Sequence, residues 1–117
     1  MLGALLAKAL SWSRLLAKPD FLICRATEMP PREILEAGVL VVVGPKRNPK
    51  WATFLCPSGC GMPLLLSLSQ TRRPRWSVAS DWLGRPSLSP SVRRTDGCRC
   101  HFWLRRGSVD WCADTGR

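Results

Sequence analysis

Short apolar runs separated by turn signals dominate the chain from residue 39 onward. Val39–Val43 is a β-branched-rich run between Gly38 and Gly44, which is typical of a strand buried on both faces. The segment from His101 to Cys112 predicts a hairpin that turns at Arg106 and Gly107. Other runs of strand length occur in WATFLC, MPLLLSLS, RWSVAS and PSLSPSV. Helical periodicity is absent between residues 39 and 112, so the pattern predicts a mainly β (small α+β) fold of short antiparallel strands and hairpins.

Helical spacing occurs before this region. Leucines and alanines recur at near-helical intervals over the first 18 residues, and Pro19 follows, which predicts an N-terminal amphipathic helix. Lys8 and Arg14 interrupt the apolar stretch well short of the ~20 residues of a membrane span, and the stretch lacks the features of a secretory signal. We expect this helix to pack on the domain or a partner, with weak peripheral membrane contact as an open alternative.

A second, shorter helix is predicted between Pro30 and Gly38, where Pro stands at the start and Gly at the end. These patterns divide the chain into three parts. Residues 1–27 form the N-terminal helix and linker, residues 28–113 the β domain, and residues 114–117 a C-terminal tail. We expect the protein to be cytoplasmic.

The formal net charge is +10, and most of the excess lies in the predicted β region. Residues 45–117 carry 13 Lys and Arg against four Asp, a net +9. Such a surface attracts nucleic acid, acidic proteins or anionic membranes without selecting among them. Six Trp residues supply apolar area for a small core, although those beside arginines also suit base stacking. The candidate anion or partner surface consists of Arg72, Arg75, Arg93, Arg94, Arg105 and Arg106.

Two cysteine clusters carry the clearest chemical signal. Cys56 and Cys60 lie in CPSGCG, whose Pro and Gly residues favour a tight turn around an ion. CRCH supplies Cys98 and His101 after a gap of 37 residues, a spacing that favours one metal site built from two turns. Three thiolates and an imidazole suit tetrahedral Zn²⁺, so we predict one Zn²⁺ held by Cys56, Cys60, Cys98 and His101.

Cys100 is the alternative ligand. In an extended segment it would lie on the same side as Cys98. Disulfides and free or catalytic thiols also stay open. Cys24 is expected to be a buried or spare thiol, and Cys112 a ligand only if another one drops out.

No catalytic constellation stands out in the sequence. If His101 binds metal, no histidine remains as a general base, and Cys100 next to His101 is poor geometry for a thiol–imidazole pair. The four Asp residues after position 45, Asp114 among them, are isolated and are interpreted as turn or surface residues. We therefore predict that the chain is not an enzyme, with a hydrolase or ligase-like enzyme using Cys100 as a lesser hypothesis.

With both clusters in view, the chain resembles a bacterial family of unknown function, domain of unknown function 6527. The resemblance covers about residues 28–112. It rests on AGVLVVVG, LCPSGCG, LLLSLS, RPRW, SLSPSV and GCRCHFWLRRGSVDWC. In two places the chain departs from the family pattern: Ser58 stands where the family has a cysteine, and Cys100 where it has serine. Cys100 therefore replaces a missing sulfur if the family's middle cysteine is a ligand.

The resemblance implies a metal-binding protein associated with bacterial ubiquitin-like conjugation genes. The favoured function is accordingly a small structural-zinc module that acts as a protein-interaction or accessory factor, and the resemblance associates it with such a conjugation system. A nucleic-acid-binding zinc module using the basic Arg and Trp surface is the alternative. The two hypotheses differ in whether the partner is a protein of the conjugation system or a nucleic acid, whose retention would depend steeply on salt.

Overall fold

Eight short strands form two four-stranded sheets in the residues that the computed structural model describes, 19–71 and 73–116. The first sheet contains β1 (Leu22–Ala26), β2 (Val39–Val43), β3 (Trp51–Leu55) and β4 (Pro63–Ser67). The second contains β5 (Ser77–Ser80), β6 (Pro86–Arg93), β7 (His101–Arg105) and β8 (Ser108–Trp111). This architecture confirms the predicted mainly β fold.

The strands follow each other in chain order within each sheet. Every neighbouring pair is antiparallel except β1 and β2, which run parallel from the pair Leu22 and Val39 to the pair Ala26 and Val43. A loop of two to a few residues suffices between antiparallel neighbours, whereas the parallel pair needs a longer crossover. Residues 27–38 supply that crossover.

Three phenylalanines connect the two sheets in the core. Phe54 of β3 packs edge to face against Phe21 at a centroid distance of 5.4 Å and against Phe102 of β7 at 6.4 Å. All three rings are buried, and aliphatic side chains of β2, β4 and β6 surround them. Edge-to-face packing of this kind adds to the free energy gained by burying the rings.

The sequence predicted two helices, one at the N-terminus and one between Pro30 and Gly38. The predicted N-terminal helix lies almost wholly outside the described residues. The shorter predicted helix is a single 3-10 turn, Arg32–Ile34, between extended residues Pro31 and Leu35. Its apolar residue Ile34 is 63% exposed, so no core contact extends the turn into an α-helix. No helix among the described residues is long and apolar enough to cross a membrane.

Two local features of the second sheet position the candidate sites. The pairing of β6 with β7 shifts between Leu88, opposite Leu104, and Val92, opposite Phe102, so β6 has extra residues there. Such a bulge redirects side chains from the regular alternation, and Ser91 lies within it. The connection from β6 to β7 is a tight loop, closed by hydrogen bonds from Arg94 N to Cys100 O and from Arg99 N to Asp96 O.

Candidate functional site

Four thiols converge where the β3–β4 turn approaches the β6–β7 loop. The sulfurs of Cys56, Cys60 and Cys98 all lie within 4.8 Å of one another. The Cys56 sulfur is also 3.6 Å from both the Cys98 and the Cys100 sulfurs. We call these four residues the thiol cluster. Its spacing is compatible with one bound metal ion, because two separate turns bring the sulfurs close to one another.

Backbone hydrogen bonds hold the first of these turns. Cys56 N donates to Met62 O at the neck of the loop, and Gly59 N donates to Cys56 O within it. Gly59 and Gly61 both have positive φ, a conformation that glycine adopts without strain. The pattern of Pro and Gly in CPSGCG therefore corresponds to a turn that aims two sulfurs at the β6–β7 loop.

Ser58 tunes the acidity of the cluster. Its hydroxyl lies 3.0 Å from the Cys56 sulfur, and hydrogen bonding to Ser58 lowers the pKa of Cys60 and brings the pKa of Cys98 to about 6. Burial acts in the opposite direction on the other two thiols: it raises the pKa of Cys56, and that of Cys100 to about 12. Cys60 and Cys98 thus form thiolates readily, whereas Cys100 forms one only if a cation offsets its desolvation.

Arg94 lies beside this cluster with a spare donor. Its Nη2 atom donates to Asp96 at 3.2 Å, and its side chain is mostly buried. Although burial would lower it, the pKa of Arg94 is raised by Asp96, Cys98 and Cys60. Its Nη1 atom is buried with no hydrogen-bond partner among the described residues. A buried cationic donor next to several thiols fits a negatively charged metal–thiolate centre, so the residues present suit a metal ion.

His101 is not brought to the thiol cluster. Buried Phe102 and Leu104 alternate along β7 with half-buried His101 and Trp103, and Cys100 lies on the buried side immediately before the strand. Successive side chains of a strand point to opposite faces. Cys100 therefore enters the cluster, while His101 lies on the other face of the sheet. The predicted ligand set that included His101 does not agree with this geometry.

His101 instead lies between a serine and an aspartate. Its Nε2 atom is 3.1 Å from Ser91 Oγ, and its Nδ1 atom is 2.6 Å from Asp114 Oδ1. Ser91 comes from the bulge in β6, and Asp114 from the turn that follows β8. Serine, histidine and carboxylate in this order of contact have the geometry of a catalytic triad, in which the histidine activates the serine and the carboxylate orients the histidine.

A family model described as "Bacterial ubiquitination-like system serine protease (BubE)" matches residues 25–112. The chain belongs to this family. Ser91 and His101 lie inside the matched region and Asp114 two residues beyond it. No curated protein and no solved structure matches the chain.

The BubE match confirms one prediction and overturns another. It confirms the bacterial, ubiquitin-like association that the resemblance implied, under this description rather than as a domain of unknown function. The family is named as a serine protease, and this overturns the prediction that the chain is not an enzyme. That prediction failed because it assigned the chain's one histidine to the metal and so left no general base.

Charged groups and backbone contacts hold His101 and Asp114 in position. The hydrogen bond to His101, assisted by the charges of His101 and Arg93, keeps the pKa of Asp114 below its usual range. Arg93 Nη1 lies 3.6 Å from the second carboxylate oxygen. Thr115 Oγ1 accepts from His101 N and donates to His101 O, which ties the C-terminal turn to the start of β7. The predicted tail from residue 114 thus contributes directly to the site.

A cleft of about 450 Å³ lies beside the β6 residues that immediately precede Ser91. Ser89 and Pro90, which precede Ser91 in the bulge, line it together with Trp76 and Arg75. The Trp76 indole donates to the Ser91 carbonyl at 3.3 Å, so the cleft wall and the triad serine are joined. Arg47 contributes a second cation, and neither Asp nor Glu is among the lining residues. The cleft therefore combines apolar walls with positive charge.

The predicted basic surface does not form one unpaired patch. Among its described members, Arg93, Arg94 and Arg105 pair with Asp114, Asp96 and Asp110. Arg105 also lies over the Trp103 ring at 4.8 Å. Arg75 faces the cleft, Arg106 occupies the hairpin turn after β7, and Arg72 lies outside the described residues.

Ser91 and Asp114 were not among the site residues predicted from the sequence. The sequence did contain one signal: His101 is the single histidine of the chain, so it was the one histidine that could act as a general base for any of the serines. No spacing rule identifies the partners, because the bulge in β6 and the turn after β8 bring them to His101 from outside its own strand.

Proposed function

We propose that the chain is a serine protease that hydrolyses an amide bond in a protein of a bacterial ubiquitination-like system. Ser91 is the nucleophile, His101 the general base and acid, and Asp114 the residue that orients His101. The observation that carries this proposal is the pair of contacts on the two ring nitrogens, 3.1 Å to Ser91 Oγ and 2.6 Å to Asp114 Oδ1. The BubE family description supports the same reaction class.

The geometry supports a two-stage acyl transfer. With its proton on Nδ1 and bonded to Asp114, His101 accepts the Ser91 hydroxyl proton at Nε2 as Oγ attacks the substrate carbonyl carbon. The same proton then passes to the leaving amine as the C–N bond breaks, which leaves an ester on Ser91. Water then attacks the ester carbonyl as Nε2 takes its proton, and that proton passes to Ser91 Oγ as the ester C–O bond breaks, which releases the acid and restores the serine. The depressed pKa of Asp114 keeps it ionised opposite the imidazolium that forms at each stage.

The substrate chain is proposed to bind in the cleft lined by Ser89 and Pro90, which precede Ser91 in the chain. Its apolar wall includes Trp76 and Pro90, and its cations are Arg47 and Arg75. Arg75 Nη1 already donates to Gln70 O, which fixes the side chain along the wall. Neither arginine has a carboxylate partner among the described residues. A peptide segment with an acidic side chain near the scissile bond would supply that partner.

The thiol cluster is proposed to hold one structural Zn²⁺ through Cys56, Cys60, Cys98 and Cys100. Cys100 takes the place that was predicted for His101. This agrees with the two departures from the resembled pattern: Ser58 stands where that pattern has a cysteine, and Cys100 where it has a serine. Soft thiolate ligands suit Zn²⁺, and a closed four-thiolate site supplies folding free energy rather than reactivity. Because Cys100 immediately precedes His101, an ion there would also fix the first residue of β7.

The partner is proposed to be a protein. The family description names a ubiquitination-like system, whose components are proteins, and nothing in the comparisons supports the nucleic-acid alternative. The expected cytoplasmic location stays a prediction that fits six free cysteines among the described residues.

A fluorophosphonate probe tests the proposed function, because it labels only a serine made nucleophilic by its surroundings. We expect the folded wild-type protein to be labelled at Ser91 and Ser91→Ala to be unlabelled. Ser80→Ala, at the exposed end of β5, is the matched control and should label like wild type. Labelling that survives Ser91→Ala, or its absence from folded, metal-loaded wild type, would contradict the assignment.

A further inference from the structure

Cys112 lies beside His101 and Asp114 of the triad, and each of these three side chains can bind a metal ion. One ligand atom each from His101, Cys112 and Asp114 lies within 4.8 Å of the others. Cys112 N donates to His101 O at 2.8 Å, and Thr115 N donates to Cys112 O at 3.1 Å. The thiol is thus held beside the imidazole by the backbone of the same turn that carries Asp114.

This trio is separate from the thiol cluster. Cys112 follows β8 and lies next to His101, at the end of the hairpin where the β6–β7 loop enters β7. The two groups of ligands are separated by the sheet, because His101 lies on the opposite face of β7 from Cys100. All three side chains are half-buried, so an ion in solvent can reach them. The proposed hydrolysis gives Cys112 no role, because Ser91 and Asp114 already occupy both ring nitrogens of His101.

Imidazole nitrogen, thiolate and carboxylate are the three ligand types that Zn²⁺ takes in proteins. Three protein ligands with solvent in the fourth position give a site that exchanges its ion more readily than a closed four-thiolate site does. We propose that His101, Cys112 and Asp114 form an inhibitory binding site for a divalent transition metal ion of the Zn²⁺ class. Binding of the ion follows from these residues alone, whereas the inhibition rests on the proposed function of the triad.

Inhibition follows from competition for the same atoms. A metal ion needs a lone pair on a ring nitrogen of His101, and both nitrogens are in use in the triad. An ion on Nδ1 displaces the proton that bonds Asp114, and an ion on Nε2 removes the base from Ser91. In either case the Asp114 carboxylate is drawn to the cation, so the ion and the working triad exclude each other.

Metal counting tests the binding. Protein purified with its thiol cluster loaded is dialysed against micromolar Zn²⁺, and bound zinc is measured for wild type, Cys112→Ser and Cys24→Ser. Cys24 is the matched control, a free thiol on β1 in the other sheet. We expect wild type and Cys24→Ser to bind one ion more than Cys112→Ser. Equal zinc content in all three, with binding at the thiol cluster only, overturns the proposal.

Fluorophosphonate labelling with added Zn²⁺ tests the inhibition, each variant being compared with its own rate in metal-free buffer. We expect Zn²⁺ to slow labelling of wild type, and the concentration for half-inhibition to rise at least about ten-fold in Cys112→Ser, a loss of about 1.4 kcal/mol of binding free energy. Inhibition equal in both proteins overturns the proposal. If no protein labels, the proposed function fails while the zinc count still decides whether the ion binds.

Discussion

Cys100 and His101 are adjacent in the chain, yet their side chains belong to two regions with different chemistry. Cys100 is fully buried and joins three other sulfurs between two loops. His101 is half-buried and joins a serine and an aspartate on the other face of the sheet. The difference shows that adjacency in sequence is a poor guide to a shared site in a strand, because successive residues leave on opposite faces.

The two regions also differ in what they require of their surroundings. In the thiol cluster, burial raises the pKa of Cys56 and Cys100, and a cation is needed to stabilise four thiolates together. In the triad, the hydrogen bond to His101 lowers the pKa of Asp114, and the residues immediately before Ser91 line an accessible cleft. We infer that the first region stabilises the fold and the second performs chemistry. Substitutions that affect one region without the other test this division.

Removal of the central sulfur should have the largest effect. Cys56→Ala deletes the sulfur that contacts both Cys98 and Cys100, so we expect loss of the bound metal and of stability on the order of 5–10 kcal/mol. Thermal unfolding followed by circular dichroism, with and without a chelator, measures it. Cys24→Ala removes a thiol outside the cluster and should melt like wild type. A melting temperature unaffected by either chelator or Cys56→Ala would show that no structural ion is bound.

Replacement of His101 should separate the two regions. We expect His101→Asn to reduce hydrolysis on the order of 10⁶-fold, because the base is lost, and to leave the metal content unchanged. The backbone N–H and C=O of residue 101 keep their contacts with Thr115 and Cys112 in this variant. Rates on a protein substrate and metal analysis of the same sample give both readouts.

Cys100→Ser is the reciprocal variant, in which metal affinity should fall. If His101→Asn lost its metal and Cys100→Ser retained it, the original assignment of His101 as ligand would be restored.

Neutralisation of the cleft should have a smaller effect, confined to substrate binding. We expect Arg75→Gln to raise KM about ten-fold, or about 1.4 kcal/mol, for a peptide with Glu near the scissile bond, with kcat largely retained. The matched peptide with Gln should show little difference between the two enzymes. Arg25→Gln, on β1 and outside this cleft, is the control. Equal KM changes for both peptides would mean that Arg75 does not recognise the acidic side chain.

Removal of the Ser58 hydroxyl should have the smallest effect. Hydrogen bonding to Ser58 lowers the pKa of Cys60 and Cys98, so Ser58→Ala should raise these pKa values and let protons compete better with the ion. We expect the pH at which half the zinc is released to move upward by a fraction of a unit, as measured with a chromophoric chelator. Ser69→Ala, whose hydroxyl contacts Thr71 outside the cluster, is the control. A shift to lower pH contradicts this role of Ser58.

Much of the fold was predictable because its signals are local. The run Val39–Val43 is β2, and the hairpin around Arg106 and Gly107 joins β7 to β8. β1 was not predicted, since Leu22–Ala26 has no strong alternation and becomes a strand by pairing in parallel with β2. Parallel pairing depends on contacts across a crossover, which a local pattern does not contain.

The sequence by itself determined a mainly β chain with two cysteine-bearing turns, because strand periodicity and turn residues are local properties. Only the tertiary structure decided that Cys100 joins Cys56, Cys60 and Cys98, and that His101 meets Ser91 and Asp114. The physical reason is the geometry of the second sheet. Alternation along β7 sends neighbouring side chains to opposite faces, while the bulge in β6 and the turn after β8 deliver the partners of His101 from other parts of the chain.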